Sequence, residues 1–170
     1  MFFFRYFLCL LFCGTQFLLL AQPNDGSSFK TKQQEMLALM ASQKPILNKL
    51  SENMEEYRQK LDQWIDVLKY PSKIRDNKTA ATQAVVTIRK FNDTAFSQFK
   101  ELTAKWFQYN LHLMAVYTRY GEQKERGKID PELTEFLKEH RAHLTQMDSV
   151  YSKIQDVFND CDFLLNSKLN

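Results

Sequence analysis

The chain contains few of the residues that end helices and form turns. Only four of its 170 residues are glycine and four are proline. An all-β sandwich or barrel needs frequent turns, so this scarcity argues against that class. Charged residues make up 25% of the chain, an ordinary share for a folded domain, and this argues against a disordered chain. We therefore predict a helical protein whose length fits one domain.

The sequence also lacks a strong net charge and the common catalytic motifs. Its formal net charge is +3, which gives little general attraction to nucleic acid, and no nucleic-acid-binding motif occurs. It has no glycine-rich phosphate loop, nucleophile elbow, HExxH zinc motif or paired Glu-x-x-His motif of di-iron bundles. We therefore predict a protein that is not an enzyme, binds no nucleic acid and needs no cofactor, and we assign no catalytic, cofactor-binding or metal residue.

The longest apolar run lies at the N-terminus. Arg5 precedes an apolar segment over residues 6–20, and a polar, turn-forming stretch follows Ala21. This order is typical of a secretory signal peptide, and we predict cleavage after Ala21 and export to the periplasm or the outside of the cell. An uncleaved anchor is the alternative, but a spanning helix needs about 20 apolar residues. We predict a signal peptide over residues 1–21, a flexible segment over 22–27 and one helical domain over 28–170, with no membrane span after cleavage.

Cleavage would leave a single cysteine in the mature chain. Cys9 and Cys13 belong to the predicted signal peptide, and Cys161 remains. The mature protein is therefore predicted to have no internal disulfide. Because Cys161 falls on an apolar helix face, we interpret it as a small buried hydrophobic residue. An intermolecular disulfide is the alternative.

Apolar residues spaced alternately three and four apart form three stripes along the rest of the chain. This spacing is typical of a heptad pattern, as in coiled coils, and places each stripe on one helix face. The first stripe consists of Met36, Met40, Gln43, Leu47, Leu50, Met54, Tyr57, Leu61, Trp64 and Leu68. The second consists of Ala81, Val85, Ile88, Asn92, Ala95, Phe99, Leu102, Trp106, Tyr109, Leu113, Val116 and Tyr120. The third consists of Leu133, Leu137, His140, Leu144, Met147, Tyr151, Ile154, Phe158, Cys161 and Leu165.

Two polar segments separate the stripes. The first, Tyr70–Asn77, contains Pro71 and is predicted to end one helix and cap the next. In the second, Gly121 is predicted to end a helix, and Asp130 is predicted to cap the next, with Pro131 at its first position.

These elements predict an up-down-up antiparallel three-helix bundle. Each helix has about 40 residues and a length of about 60 Å, and short connections make successive helices antiparallel. Pro45 lies inside the first helix and is predicted to kink it, or to make it restart with Ser42 as N-cap. An open helical hairpin that completes its core by oligomerising is the alternative.

The second predicted helix has the widest apolar face and an excess of basic residues. The wide face indicates contact with two neighbours at once, and its additional members are Ala84, Phe91, Phe96, Phe107, Met114 and Tyr117. From Lys78 to Tyr120 the chain has six basic and two acidic residues, and from Asp130 to the end it has four basic and eight acidic residues. We therefore predict that a basic helix packs beside an acidic one.

The candidate ligand residues are three histidines. His140 and His143 are three residues apart and share a helix face, and antiparallel pairing places His112 roughly opposite residues 138–140. Such a set could bind a metal ion, so a metal-binding bundle is a remote alternative, although hydrogen-bonded helix histidines are the simpler interpretation.

Two N-glycosylation sequons begin at Asn77 and Asn92. Asn77 falls in the first predicted loop and could carry a glycan in a eukaryotic secretory pathway. Asn92 falls on a core position, where a buried asparagine resembles the register-setting polar residue of coiled coils.

The sequence therefore predicts an exported, non-enzymatic helical bundle that acts by protein–protein interaction, as an accessory or scaffold subunit. Its protein partner is not identified by any motif, and homo-oligomerisation is also open. The alternative is a carrier or holdase-like binder of a hydrophobic ligand or unfolded client, which would need a cavity or open groove between the stripes.

Overall fold

Helices account for nearly all of the described chain. The computed structural model describes residues 26–167. No strand occurs among them, so the prediction of an all-α chain is confirmed. The predicted signal peptide, residues 1–21, lies outside the described residues. The helices are α1 (Gly26–Val67), α2 (Pro71–Phe107), α3 (Asn110–Glu125) and α4 (Pro131–Ser167).

Helix α1 begins at Gly26, inside the segment 22–27 that the sequence predicts to be flexible. From Lys32 onward the residues belong to one compact unit, and the contacts described below lie within it. Among residues 26–167, no helix combines the length and the hydropathy that crossing a membrane requires.

The second predicted helix is divided into two helices. Helix α2 ends at Phe107 and α3 begins at Asn110, and between them the N–H of Tyr109 donates to the carbonyl of Trp106 at 3.3 Å. The buried stripe continues in phase across this break, from Trp106 to Leu113. Because the periodicity is preserved, the apolar pattern could not reveal the break.

The helix before the second connection ends later than predicted. Gly121 lies inside α3, and the helix continues to Glu125. Gly127 instead adopts the left-handed conformation, with φ of 66°, and its N–H donates to the carbonyl of Lys124 at 3.1 Å. The prediction that Gly121 ends the helix is therefore wrong. The sequence could not distinguish the two positions, because either glycine can adopt the left-handed conformation that ends a helix.

The start of the last helix is as predicted. Pro131 is the first residue of α4, and Asp130 Oδ1 accepts a hydrogen bond from the N–H of Glu132 at 2.9 Å. The carboxylate thereby satisfies one of the free N–H groups at the helix start.

The first connection is shorter than predicted. Helix α2 begins at Pro71, because proline fits the first helical position, where no N–H is needed. Asn77 is therefore not in a loop: it lies in α2, and its Nδ2 donates to the carbonyl of Lys73 at 3.0 Å.

Helix α1 runs without interruption through Pro45. Ser42 Oγ donates to the carbonyl of Leu39 at 2.8 Å, so Ser42 is a helix-interior residue. The predicted alternative in which the helix restarts with Ser42 as N-cap is wrong.

The buried face of α4 is rotated relative to the predicted stripe. The predicted members Leu137, Leu144, Tyr151 and Phe158 are only half-buried. Apolar residues occupy two adjacent columns of this helix, so the spacing alone could not choose between them. The buried column alternates by three and four as Leu133, Phe136, His140, His143, Met147, Val150, Ile154, Val157, Cys161 and Leu164.

The wide apolar face therefore belongs to α4 and not to α2. On the second predicted helix, the flanking residues Phe91, Met114 and Tyr117 are 52%, 43% and 50% exposed. Helix α4 instead carries a half-buried apolar column, with Leu137, Leu144, Tyr151 and Phe158, beside its fully buried one.

Ion pairs define the register between the helices. Arg58 of α1 lies 3.2 Å from Asp160 of α4, and Lys153 lies 3.5 Å from Glu55, so α1 and α4 run in the same direction. Arg89 of α2 pairs with Asp162 of α4 at 3.2 Å, and this contact joins the basic and acidic helices as predicted. These pairs are partly exposed, so each contributes little stability.

Asn92 lies in the core without a hydrogen-bond partner among the described residues. Its side chain is 1% exposed, and neither Oδ1 nor Nδ2 is paired. An unpaired buried polar group costs about 1–3 kcal/mol. The burial also leaves its sequon inaccessible to a glycosylating enzyme.

We expect Asn92→Leu to raise the free energy of unfolding by about 1–2 kcal/mol, since leucine has a similar shape and no polar atoms. Urea unfolding monitored by circular dichroism measures this change. The control Asn159→Leu, at an exposed position of α4, should change stability by less than about 0.5 kcal/mol. A loss of stability in Asn92→Leu would show that the amide is satisfied in solution.

Candidate functional site

All four helices meet at a group of polar and aromatic side chains. We call Gln43 of α1, Trp106 of α2, Tyr117 of α3, and His140 and His143 of α4 the Trp106 cluster. The indole of Trp106 is 2% exposed, and its ring centroid lies 5.3 Å from that of His140 and 4.9 Å from that of His143. As predicted, the two histidines share one face of their helix.

Hydrogen bonds connect the cluster across three helix interfaces. Gln43 Nε2 donates to the carbonyl of Leu102 at 3.0 Å, and its Oε1 lies 2.9 Å from His143 Nε2. Because an amide oxygen only accepts, His143 must carry its proton on Nε2. On the opposite side, Tyr117 Oη lies 2.9 Å from His140 Nδ1.

Burial keeps both cluster histidines neutral at pH 7. His140 is 3% exposed and His143 is 5% exposed. Burial, and to a smaller extent the neighbouring His143, lower the pKa of His140 to about 4. Burial also lowers the pKa of His143 to about 4.

His112 has different surroundings from the other two histidines. Burial lowers the pKa of His112, Lys32 of α1 lowers it further, and Glu35 opposes both. Within residues 26–167, no group of three or more His, Cys, Asp or Glu side chains is arranged to hold a metal ion. The three histidines therefore do not form a common ligand set.

Cys161 is a core residue, as predicted. It is 0% exposed, and burial raises the pKa of its thiol to about 11. The thiol is therefore protonated at neutral pH and is a poor nucleophile.

A groove lies between α1 and α2, away from the Trp106 cluster. It has a volume of ≈ 590 Å³ and is open to solvent. It spans residues 57–67 of α1, a length of about 15 Å at 1.5 Å per residue. Its lining residues are Tyr57, Lys60, Gln63, Trp64, Val67, Ala80, Gln83, Ala84, Thr87, Ile88 and Phe91.

Three of the eleven side chains that line the groove are aromatic: Tyr57, Trp64 and Phe91. The rings of Tyr57 and Phe91 stack with their centroids 5.7 Å apart, although Phe91 remains 52% exposed. Lys60 is the one charged residue among those that line the groove, and its ammonium lies 5.6 Å from the centroid of Tyr57. The Lys60 ammonium also pairs with Glu56, one helical turn earlier, at 2.5 Å. Its charge is therefore already compensated within α1, and the groove is mainly an exposed apolar surface.

No protein-family model, curated protein or solved structure matches this chain. Its candidate sites are therefore defined by their geometry.

The sequence pattern identifies the cluster only in part and does not identify the groove. It places His140 on the buried stripe but leaves out His143, because it selects the other apolar column of α4. It assigns Tyr57 and Trp64 to the core, whereas both are half-buried. The size of these two side chains could have indicated the groove, because a large aromatic ring can extend beyond the contact between two helices.

Proposed function

We propose that this protein is an exported, non-enzymatic helical bundle that binds another protein as an accessory or scaffold subunit. The open aromatic groove between α1 and α2 is the observation that carries this proposal. In the proposed mature form, residues 1–21 are removed as a signal peptide, and the remaining chain is an up-down-up three-helix bundle.

The contacts between helices support this architecture. Helices α1 and α4 run in the same direction, whereas the pairs Gln43 with Leu102 and Tyr57 with Phe91 make α2 antiparallel to α1. Helices α2 and α3 follow one another with their buried stripe in phase, so together they form one arm of the proposed bundle.

The shape and composition of the groove favour a protein ligand. Sites for small molecules usually enclose most of the ligand surface, whereas this groove is open. Tyrosine and tryptophan are enriched among the residues that contribute most to protein–protein binding, and Tyr57 and Trp64 both line the groove. A groove between two antiparallel helices can bind a further helix through its apolar face.

The proposed partner segment is an amphipathic helix. About three helical turns would fill 15 Å of groove. Its apolar residues, one and two turns apart, would pack between Tyr57, Trp64 and Phe91.

The same groove supports a second candidate function. A carrier or holdase also requires an open apolar groove between the first two stripes, and the exposed ring of Phe91 would suit a hydrophobic ligand or an unfolded client. Such a protein would bind an apolar fluorescent dye in its native state and would bind many unrelated clients.

We expect Phe91→Asp to weaken binding of a partner by at least about 10-fold, because it places a charge among the apolar contacts of the groove. The protein, tagged at its C-terminus, is cross-linked in the cells that produce it through a photoreactive residue at Gln83. The expected result is one specific partner, cross-linked in the wild type and lost in Phe91→Asp.

Val86→Asp is the matched control. Val86 lies on the same helix and is 53% exposed, but it does not line the groove. Equal loss of the partner in both variants would contradict docking in the groove. Dye binding that is lost in Phe91→Asp, without a specific cross-linked partner, would support the carrier function instead, and cross-linking between two copies would indicate self-association.

A further inference from the structure

The Trp106 cluster joins every helix through side chains that carry no charge at neutral pH. Gln43 contributes from α1, Trp106 from α2, Tyr117 from α3 and the two histidines from α4. His140 Nε2 is buried and has no hydrogen-bond partner among the described residues. Doubly protonated His140 would carry a charge in the core, with an N–H at Nε2 that faces no acceptor.

Within residues 26–167, the groups in contact with the histidines offer no compensating negative charge. From α1 and α2, the contacts are Gln43 and Trp106, which do not titrate. From α3, the contact is the hydroxyl of Tyr117, and burial raises the pKa of this phenol. From α4, each histidine faces the other, so protonation of both would bring two positive charges together.

The cluster adjoins α3, the shortest of the four helices. Helix α2 ends one residue after Trp106, and the short helix α3 follows after the turn at Tyr109. Helix α3 has 16 residues, of which only Leu113 and Val116 are buried. Few apolar contacts therefore hold α3 in place, and regions with few such contacts open first.

We propose that the Trp106 cluster is a pH-sensitive lock, which holds the α2–α3 junction closed at neutral pH and releases α3 in acid. The groove lies about 20 Å further along α1, since 14 residues separate Gln43 from Tyr57. Release of α3 would therefore leave the groove intact. This regulation is separate from the identity of any partner.

The direction of the effect follows from proton linkage. A histidine that opening exposes to water has an ordinary pKa of about 6.5, whereas in the closed cluster the pKa is about 4. Between these values the open state binds more protons than the closed state. The closed state is therefore fully stable above pH 6.5 and loses stability as the pH falls toward 4.

Hydrogen exchange measured by mass spectrometry on the purified protein tests the lock. Each proton taken up on opening favours the open state about tenfold per pH unit. We expect the protection factors of residues 108–125 to fall at least about 10-fold between pH 7 and pH 5, while those of residues 81–92 change much less. An equal change in both segments would overturn the proposal.

Two non-titrating substitutions, His140→Asn and His143→Gln, test whether the histidines are responsible. Asparagine can keep the hydrogen bond of Nδ1 to Tyr117, and glutamine that of Nε2 to Gln43. His112 lies on α3 and its pKa is also lowered by burial, so it adds a smaller pH dependence of its own. The double variant should lose most of the pH-dependent opening, whereas His112→Asn should retain most of it. Opening that persists unchanged in the double variant would contradict the proposal.

If the double variant does not fold, NMR titration of the histidines in the wild-type protein provides an independent test. The signals of two histidines should show that these side chains remain neutral down to about pH 5 in the closed protein. Titration of all three histidines near pH 6.5, with α3 still protected, would overturn the lock.

Discussion

Replacing Trp106 with alanine is expected to remove about 4 kcal/mol from the free energy of unfolding. Trp106 is 2% exposed and stacks against His140, with the ring planes 23° apart. Truncation would leave a cavity at the point where the four helices meet, and the histidines would lose their main apolar cover. A domain of this size has a total stability of about 5–15 kcal/mol, so the variant should be close to unfolding.

Urea unfolding monitored by circular dichroism measures this loss. Trp64→Ala is the control, because it removes the same side chain from a half-buried position in the groove. Its expected loss is less than half as large, since a cost of this kind grows with the cavity that truncation leaves. Equal losses in the two variants would mean that the Trp106 cluster has no special place in the core.

Gln43→Ala is expected to cost about 3 kcal/mol of stability. Gln43 is 2% exposed and hydrogen-bonds both Leu102 and His143. Its truncation would leave the Nε2–H of His143 buried without an acceptor, which costs about 1–3 kcal/mol, and would add the cost of the vacated volume.

Two further substitutions separate these contributions. Lys44→Ala, at the adjacent exposed position, should change stability by less than about 0.5 kcal/mol. Gln43→Leu fills the volume but makes no hydrogen bond, so its loss should be smaller than that of Gln43→Ala. If Gln43→Leu is as stable as the wild type, the hydrogen bonds of Gln43 contribute no net stability.

The two candidate sites have different physical characters. The groove presents aromatic surface to solvent, as a binding site must. The Trp106 cluster connects the helices instead, and four of its five side chains are buried. The proposed function therefore rests on the groove, and the proposed regulation rests on the cluster. The groove and the Trp106 cluster involve different stretches of α1 and α2. Phe91→Asp, a substitution in the groove, should therefore leave the acid response of the cluster unchanged.

Much of the fold could be predicted because its determinants are local. The alternation of apolar residues by three and four specifies helices wherever it occurs, and Asp130 with Pro131 marks a helix start through chemistry confined to a few residues. The stripes of α1 and α2 are buried nearly as predicted, from Met36 to Leu68 and from Ala81 to Trp106.

The predictions from sequence were wrong where two local arrangements of the chain fitted the pattern equally well. Gly121 and Gly127 could each end a helix, and the break after Phe107 preserves the phase of the stripe. In α4, Leu144 and His143 lie on adjacent columns of one helix. Only contact with α1 and α2 selects which column is buried.

The sequence alone determined that the chain is helical and which faces of α1 and α2 are apolar, because backbone hydrogen bonds and residue spacing act between near neighbours. The tertiary structure decided the sites. The contact of Gln43 with His143 joins residues 100 positions apart, and the stack of Tyr57 on Phe91 depends on how α1 crosses α2. Such pairs leave no periodic trace in the sequence, because their geometry exists only after the helices have packed.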